Sequence, residues 1–398
     1  MRDIAIGYYA HHHGQGHITR ARTIAAHLPC PLTIFSSIDS PSDTAESVTM
    51  RLLPKDVEAA DAGIDAANGE GERAATPVRG DAPSPTPRHA LTSTLPHTVP
   101  HSPSPALHYA PTAIHGIVER MGTMVDWFRE AWPCLLVVDV SVEVALLARL
   151  CSVPTVYVRQ RGNRSDAPHA LAYASAAALL APYPETFSDR PVLNEWSEKT
   201  VFTGFISRYA AGGAKAQTLK CDVTAAKTVI VLIGHGGTAM TATALSEAAR
   251  ACPQWHWTVL GPVGQTDALA LPSNIVFLGV VDDPAQWIAT ASVVVGSAGD
   301  SVVAEIAAFR QRFICFAEPR PFDEQMATAQ SLERHGLAVY CRHWPSAKLW
   351  PVILGRAMGL DPSQWDRFDD ATGAQKAANA IMHAAESAWQ HAAQGGPR

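Results

Sequence analysis

Four histidines fall within seven residues, His11-His12-His13-Gly14-Gln15-Gly16-His17, between an apolar run and a stretch with helical spacing. A metal cluster would need a second half-site, and neither a His-Glu-x-x-His helix nor a paired-cysteine motif supplies one, so no metal is expected. His17 stands apart because it follows Gly16 where the helix begins. An imidazole titrates near neutrality and suits a general base that takes a proton from a hydroxyl; the plainer alternative is that His17 only terminates the helix. Asp139 ends an apolar strand, where it can orient that imidazole or cap the helix that starts near Glu143. Arg159, Arg161, Arg164, Asp166 and His169 follow the next strand. Loops after parallel strands line the cleft of such sheets, so Arg161 and His169, with Gly14 and Gly16, are expected on the wall that receives a hydroxyl-bearing substrate; a solvated charged loop is the alternative.

Two more glycine turns lie at strand-to-helix junctions, one holding Gly234, Gly236 and Gly237, the other running from Gly296 through Ser297 to Gly299. Backbone N–H groups and the positive end of a helix dipole favour an anion at such places. Neither turn has the order of a P-loop, and no acidic residue stands where a dinucleotide fold holds its ribose, which argues against kinases and dehydrogenases. On the helix that begins at Ser301, the residues Val302, Val303, Ile306 and Ala307 form the core face and Glu305 points away from it.

These residues need a scaffold that brings strand ends together. Residues 4–9, 18–28 and 32–35 read as strand, helix and strand, and the alternation resumes with a strand over 135–139, a helix over 143–150 and a strand over 155–158. A second alternation runs from a strand over 228–233 and a helix over 238–251 to a strand over 313–316. The fold class expected is α/β, with two Rossmann-like doubly wound domains facing a cleft. Residues 1–205 form the first, 206–372 the second, and 373–398 a C-terminal helix that packs back on the body through Ala374, Ala378, Ile381, Ala385 and Ala388. The stretch 56–111 has no sustained period, and nine of the 29 prolines lie between Pro77 and Pro111; it reads as a long flexible insertion, inert or an acceptor-side flap.

Composition sets the outer limits. A chain of 398 residues exceeds what one core usually serves, and 47% hydrophobic with 17% charged residues fits a well-buried enzyme. A net charge of −6 argues against a groove that tracks nucleic acid. The seven cysteines form no C-x-x-C pair, the reading being reduced thiols in the cytoplasm. Five apolar residues near the start are too few for a signal-peptide core, and no run reaches the roughly 20 needed to span a bilayer. Peripheral membrane contact stays open.

Three runs carry a resemblance: Gly14 to Arg20 (G-x-G-H-x-x-R), Val231 to Thr238 (V-L-I-G-H-G-G-T), and Val294 to Glu305 (V-V-G-S-A-G-x-x-x-x-A-E), which continues into P-R-P-F-D-E-Q from Pro319 to Gln325. Together they resemble the GT-B glycosyltransferases related to MurG. The resemblance implies a transferase that moves a sugar from a nucleoside diphosphate sugar, a UDP-sugar by analogy, to an acceptor hydroxyl, inverting and without metal or cofactor. His17 would be the base. Glu305 would accept hydrogen bonds from both ribose hydroxyls, the glycine turns would face the diphosphate, and Gln325 would hold hydroxyls of the donor sugar, so that donor binding lies in the C-terminal half. Many relatives place His or Arg where this chain has Ser297; Arg320 and His235 are the candidate substitutes. No D-x-D occurs to hold a metal. Hydrolases of the PseG type share the first run, so a UDP-sugar hydrolase or epimerase, or a nucleotide-sugar-binding protein without turnover, remains an alternative. The acceptor, whether lipid, saccharide, protein or small molecule, is not legible.

Overall fold

The computed structural model describes residues 4–11, 15–38, 47–55, 107, 110, 112–188, 196–209, 227–234, 238, 240–264 and 270–393. The proline-rich insertion therefore lies, apart from residues 107 and 110, outside the described residues.

Apolar runs flanked by turns become parallel strands, nearly or fully buried at the sheet centres and more exposed at the edge strands. The first seven are β1 (Ala5–Ala10), β2 (Leu32–Ser36), β3 (Val48–Leu52), β4 (Cys134–Asp139), β5 (Thr155–Val158), β6 (Ala178–Ala181) and β7 (Thr200–Phe202). They form one sheet in the order β3-β2-β1-β4-β5-β6-β7. The rest are β8 (Lys227–Leu232), β9 (Trp255–Leu260), β10 (Ile275–Gly279), β11 (Val293–Ser297), β12 (Phe313–Phe316) and β13 (Ala338–Cys341), in the order β10-β9-β8-β11-β12-β13. Every pairing is parallel. Strand order reverses between β1 and β4 in one sheet and between β8 and β11 in the other, and at each reversal the loops after the strands open a crevice.

The structure extends the alternation read from the sequence. The helix His115–Glu130 buries Met124, Trp127 and Phe128, and helices Ala167–Ser175, Glu324–Arg334 and Trp350–Met358 complete the layers. Boundaries shift by a few residues: the helix expected over 18–28 runs Gly16–Ala25, and the helix expected from residue 238 begins at Ala242, because Thr241 caps it by accepting from Ala244 N–H. Thr238 instead sits before the cap and donates to Glu318 Oε1 at 2.6 Å.

The last helix, Gly373–Ala393, crosses to the first domain. Ala374, Ala377, Ala378, Ile381 and Ala385 share a core with Ile18, Ile24 and Leu135, while Ala388 is half-buried and Trp389 Nε1 donates to the Cys134 carbonyl at 3.1 Å. The small alanine face lets the helix lie close against the Gly16–Ala25 helix.

Candidate active site

At the β1–β4 reversal the register sets Ala10 beside Asp139, so the turn after β1 and the end of β4 meet. The helix Gly16–Ala25 starts there. Asp139 is fully buried and accepts from Tyr8 Oη at 2.8 Å and from Arg20 Nη1 at 3.0 and 3.1 Å. His17 Nδ1 lies 3.1 Å from Asp139 Oδ1, within ion-pair reach but off the direction of a well-formed hydrogen bond. Burial pushes the Asp139 carboxyl up, but the Arg20 charge, the neighbouring His17 and the hydrogen bond from Tyr8 outweigh it and hold it at about 2. Asp139 is thus a fixed carboxylate. Burial first, and the Asp139 charge second, push the Tyr8 phenol well above its ordinary 10, which keeps it a donor. Asp139 beside Nδ1 favours the tautomer whose Nε2 accepts a proton. The alternative role for Asp139 does not hold: Ser141 caps the following helix, accepting from Val144 N–H at 3.1 Å.

The opposite wall comes from the β8–β11 reversal. Ser297 ends β11, and the helix Asp300–Phe309 follows with Gly299 at its N-cap and no side chain capping its N–H groups. A Cβ on Gly299 would lie 3.5 Å from Gln325 Nε2 and 3.7 Å from Ser297 Oγ, so these polar groups gather at the helix start. Gln325 is buried and its Oε1 accepts from Glu318 N–H at 2.9 Å. Glu305, 13% exposed, pairs with Arg208 Nε at 2.9 Å. Burial raises its carboxyl above the ordinary range, with Arg208 opposing.

The two walls touch. Arg20 Nη2 donates to Asp300 Oδ2 at 2.7 Å while Nη1 holds Asp139, so one guanidinium spans the cleft. Burial alone would lower its pKa, yet the two carboxylates raise it. A Cβ on Gly16 would come within 2.5 Å of Ser301 Oγ, so a glycine lets the two helix starts face each other at close range. The space between them is lined by Gly16, Arg20, Arg208, Asp300, Ser301 and Glu305 among others.

Neither a protein-family model nor a curated protein matches the sequence. Solved structures do match over almost the whole chain. MurG from Acinetobacter baumannii is 16% identical over 98% of this chain and 99% of its own, with a TM-score of 0.53. UGT2 from Phytolacca americana, solved with UDP-2-fluoro-glucose and pterostilbene, is 12% identical over 100% of this chain and 97% of its own, with a TM-score of 0.57. HepE from Anabaena, solved with UDP and glucose, is 14% identical over 98% of this chain and 100% of its own, with a TM-score of 0.51. The chain has the GT-B fold.

Within this GT-B fold the residues singled out from the sequence fall into three groups, with Arg320 apart from them. His17, Asp139, Gly16, Ser297, Gly299, Glu305 and Gln325 lie at the facing strand ends, as does Gly234, which follows β8 and has open space about its Cα. Gly14, Gly236 and Gly237, and His235 with them, lie outside the described residues. Arg161 and His169 lie in a GT-B interdomain seam. Arg161 is buried, donates to Ser331 Oγ at 2.8 Å and lies over the Tyr183 and Phe187 rings. His169 is buried, with Nδ1 2.7 Å from Asp166 Oδ2 and Nε2 3.2 Å from Arg164 Nη1. Arg320 lies just before a short turn over Pro321–Asp323 and donates to the Pro319 carbonyl at 2.9 Å.

Sequence reasoning did not assign site roles to Tyr8, Arg20, Arg208 or Asp300. A signal existed for Arg20, which sits one helical turn after His17 and therefore on the same face. None existed for Arg208, which lies in an irregular segment. Among the described residues, no group of three His, Cys, Asp or Glu side chains is placed to hold a metal ion, and no helix is long and apolar enough to cross a membrane.

Proposed function

We propose that this protein is a glycosyltransferase that moves a sugar from a UDP-sugar to an acceptor hydroxyl by direct, inverting displacement, without a metal. The reading is carried by one juxtaposition: a carboxylate-backed imidazole and an uncapped helix start with a nearby carboxylate face each other across a single cleft. His17, oriented by Asp139, takes the proton from the acceptor hydroxyl as it attacks the anomeric carbon. The bond to the diphosphate breaks in the same step, and the N–H groups at the start of the Asp300–Phe309 helix stabilise the departing charge. Arg20 neutralises Asp300 in that first turn, which leaves the positive end of the helix available to an anion. Glu305 receives the ribose hydroxyls, and Gln325 and the Gly296–Gly299 turn receive the sugar and phosphates. Both reactants must share a cleft from which water is excluded. The structural neighbours solved with UDP, UDP-2-fluoro-glucose and glucose support this donor class.

The deciding experiment incubates the protein with UDP-glucose and UDP-N-acetylglucosamine, with and without acceptor extracts, and follows UDP and free sugar. UDP release that depends on an acceptor supports transfer and should persist in EDTA; equal release of UDP and free sugar in water alone would identify a hydrolase instead.

Glu305→Ala should weaken UDP binding by about 1.5–3 kcal/mol, the usual scale for hydrogen bonds to a charged group, as read by calorimetry. Because burial raises the Glu305 carboxyl, UDP affinity of the unsubstituted protein should fall on acidification sooner than an exposed glutamate would cause. An alanine variant with unaltered UDP affinity would remove Glu305 from the ribose role.

A further inference from the structure

The donor-side segment just before Gln325 is strained. Phe322 has φ 62° and ψ 18°, and Asp323 has φ 55° and ψ 30°, two consecutive non-glycine residues in the left-handed region. A bulky aromatic residue is an outlier there, and such backbone persists only where its surroundings impose it. What imposes it here comes from the other domain. The turn after β5 lays Gly162, itself at φ 95°, against this segment so closely that a Cβ would stand 2.1 Å from the Phe322 carbonyl oxygen and 3.0 Å from Glu324 Cα and N. Asn163 N–H donates to that same carbonyl at 2.8 Å. Arg164 is 7% exposed; its Nη2 donates to Glu324 Oε2 at 2.8 Å, and its guanidinium lies 4.7 Å from the centre of the Phe322 ring. The His169 ring meets the Phe322 ring edge-on, with centroids 4.8 Å apart.

We propose that the turn over residues 162–164 of the first domain is the positioning element for the donor-sugar residues of the second, fixing Phe322 and Asp323 so that the helix Glu324–Arg334 starts with Gln325 aimed at Gly299. The proposal rests on the nucleotide-sugar reading above and changes one of its expectations. The nucleotide is held by the second domain, but discrimination of the attached sugar requires the first. The physical logic is preorganisation: backbone that is costly on its own is held ready by a hydrogen bond, an ion pair and a glycine-sized gap, so that binding the sugar need not order it. Arg161, Arg164 and His169 then act as seam residues that touch no reacting atom.

The test uses the full chain with two readouts. In Gly162→Ala, amide hydrogen exchange at residues 322–325 should quicken about tenfold or more while the strands of the second sheet exchange as in the unsubstituted protein, the mark of local opening. Calorimetry should show the UDP dissociation constant within about twofold, and those for UDP-glucose and UDP-N-acetylglucosamine raised about tenfold for whichever the protein prefers, the scale of one lost charged hydrogen bond. Arg164→Ala should act in the same direction and Arg164→Lys should restore part of the sugar affinity, since a lysine keeps the charge but not the fork. If Gly162→Ala does not fold, the Arg164 pair carries the same measurements. Unchanged exchange at 322–325, or equal weakening of UDP and both UDP-sugars, overturns the proposal. Failure of the unsubstituted protein to bind UDP or either UDP-sugar removes the nucleotide-sugar reading instead, while the exchange experiment still decides whether the turn clamps the segment.

Discussion

His17→Ala is expected to slow the chemical step by about two to four orders of magnitude while donor affinity stays close to that of the unsubstituted protein, the signature of a lost general base. The separation of effects follows from placement. His17 belongs to the wall built by β1 and β4, whereas Ser297, Gly299, Glu305 and Gln325 belong to the wall built around β11. With Nδ1 facing the Asp139 carboxylate at 3.1 Å, the proton enters at Nε2, and the developing imidazolium is stabilised by a carboxylate already ionised. Asp139→Asn should therefore slow the same step, because the amide neither stabilises the cation nor enforces the tautomer. Single-turnover kinetics with saturating donor check this. A His17→Ala protein that loses donor binding and thermal stability together, yet turns over normally at saturation, would make His17 a helix-terminus residue.

Arg20→Ala is expected to destabilise the protein by about 3–5 kcal/mol, because it leaves Asp139 as a buried carboxylate without its guanidinium. Thermal unfolding of the first domain should drop by roughly 6–20 °C, taking a few degrees per kcal/mol for a domain of this size. Arg20→Lys should rescue only in part, since a point charge cannot reach Asp139 and Asp300 at once. The pH dependence has a definite sign. The folded pKa of Asp139, about 2, lies below the ordinary 3.8, so its contribution is complete above about pH 4 and is lost as pH falls through 2. Removing Arg20 leaves burial unopposed by its largest partner, which raises that pKa and shifts acid unfolding to higher pH. Circular dichroism across pH 2–6 measures both effects. An acid transition that does not move in Arg20→Ala would mean that the carboxylate is held by Tyr8 and His17 alone. The same variant also opens the cleft, since Asp300 loses its partner from the opposite wall.

What the sequence determined by itself was local. Short apolar runs followed by glycine turns and amphipathic segments specify parallel strands and crossover helices, because burial on both faces and the helical period are written in neighbouring residues. The strands over Thr155–Val158 and Phe313–Phe316 appear where the pattern placed them, and the alanine face of the last helix is buried. The placements of His17 at a helix start and of Glu305 on a helix were legible for the same reason, since each follows from its own segment. Long-range pairing decided the rest. That Asp139 is a buried acceptor for Tyr8 and Arg20 depends on β4 lying beside β1 across more than a hundred residues, a register no local pattern encodes. Arg20 bridging to Asp300, Arg208 meeting Glu305, and Arg161 and His169 entering the seam all depend on how two separately folded sheets dock. Docking brings together side chains from opposite ends of the chain. Their pairing is set by the shape and charge of two surfaces, which exist only after each domain has folded, and so the tertiary structure alone could make the cleft.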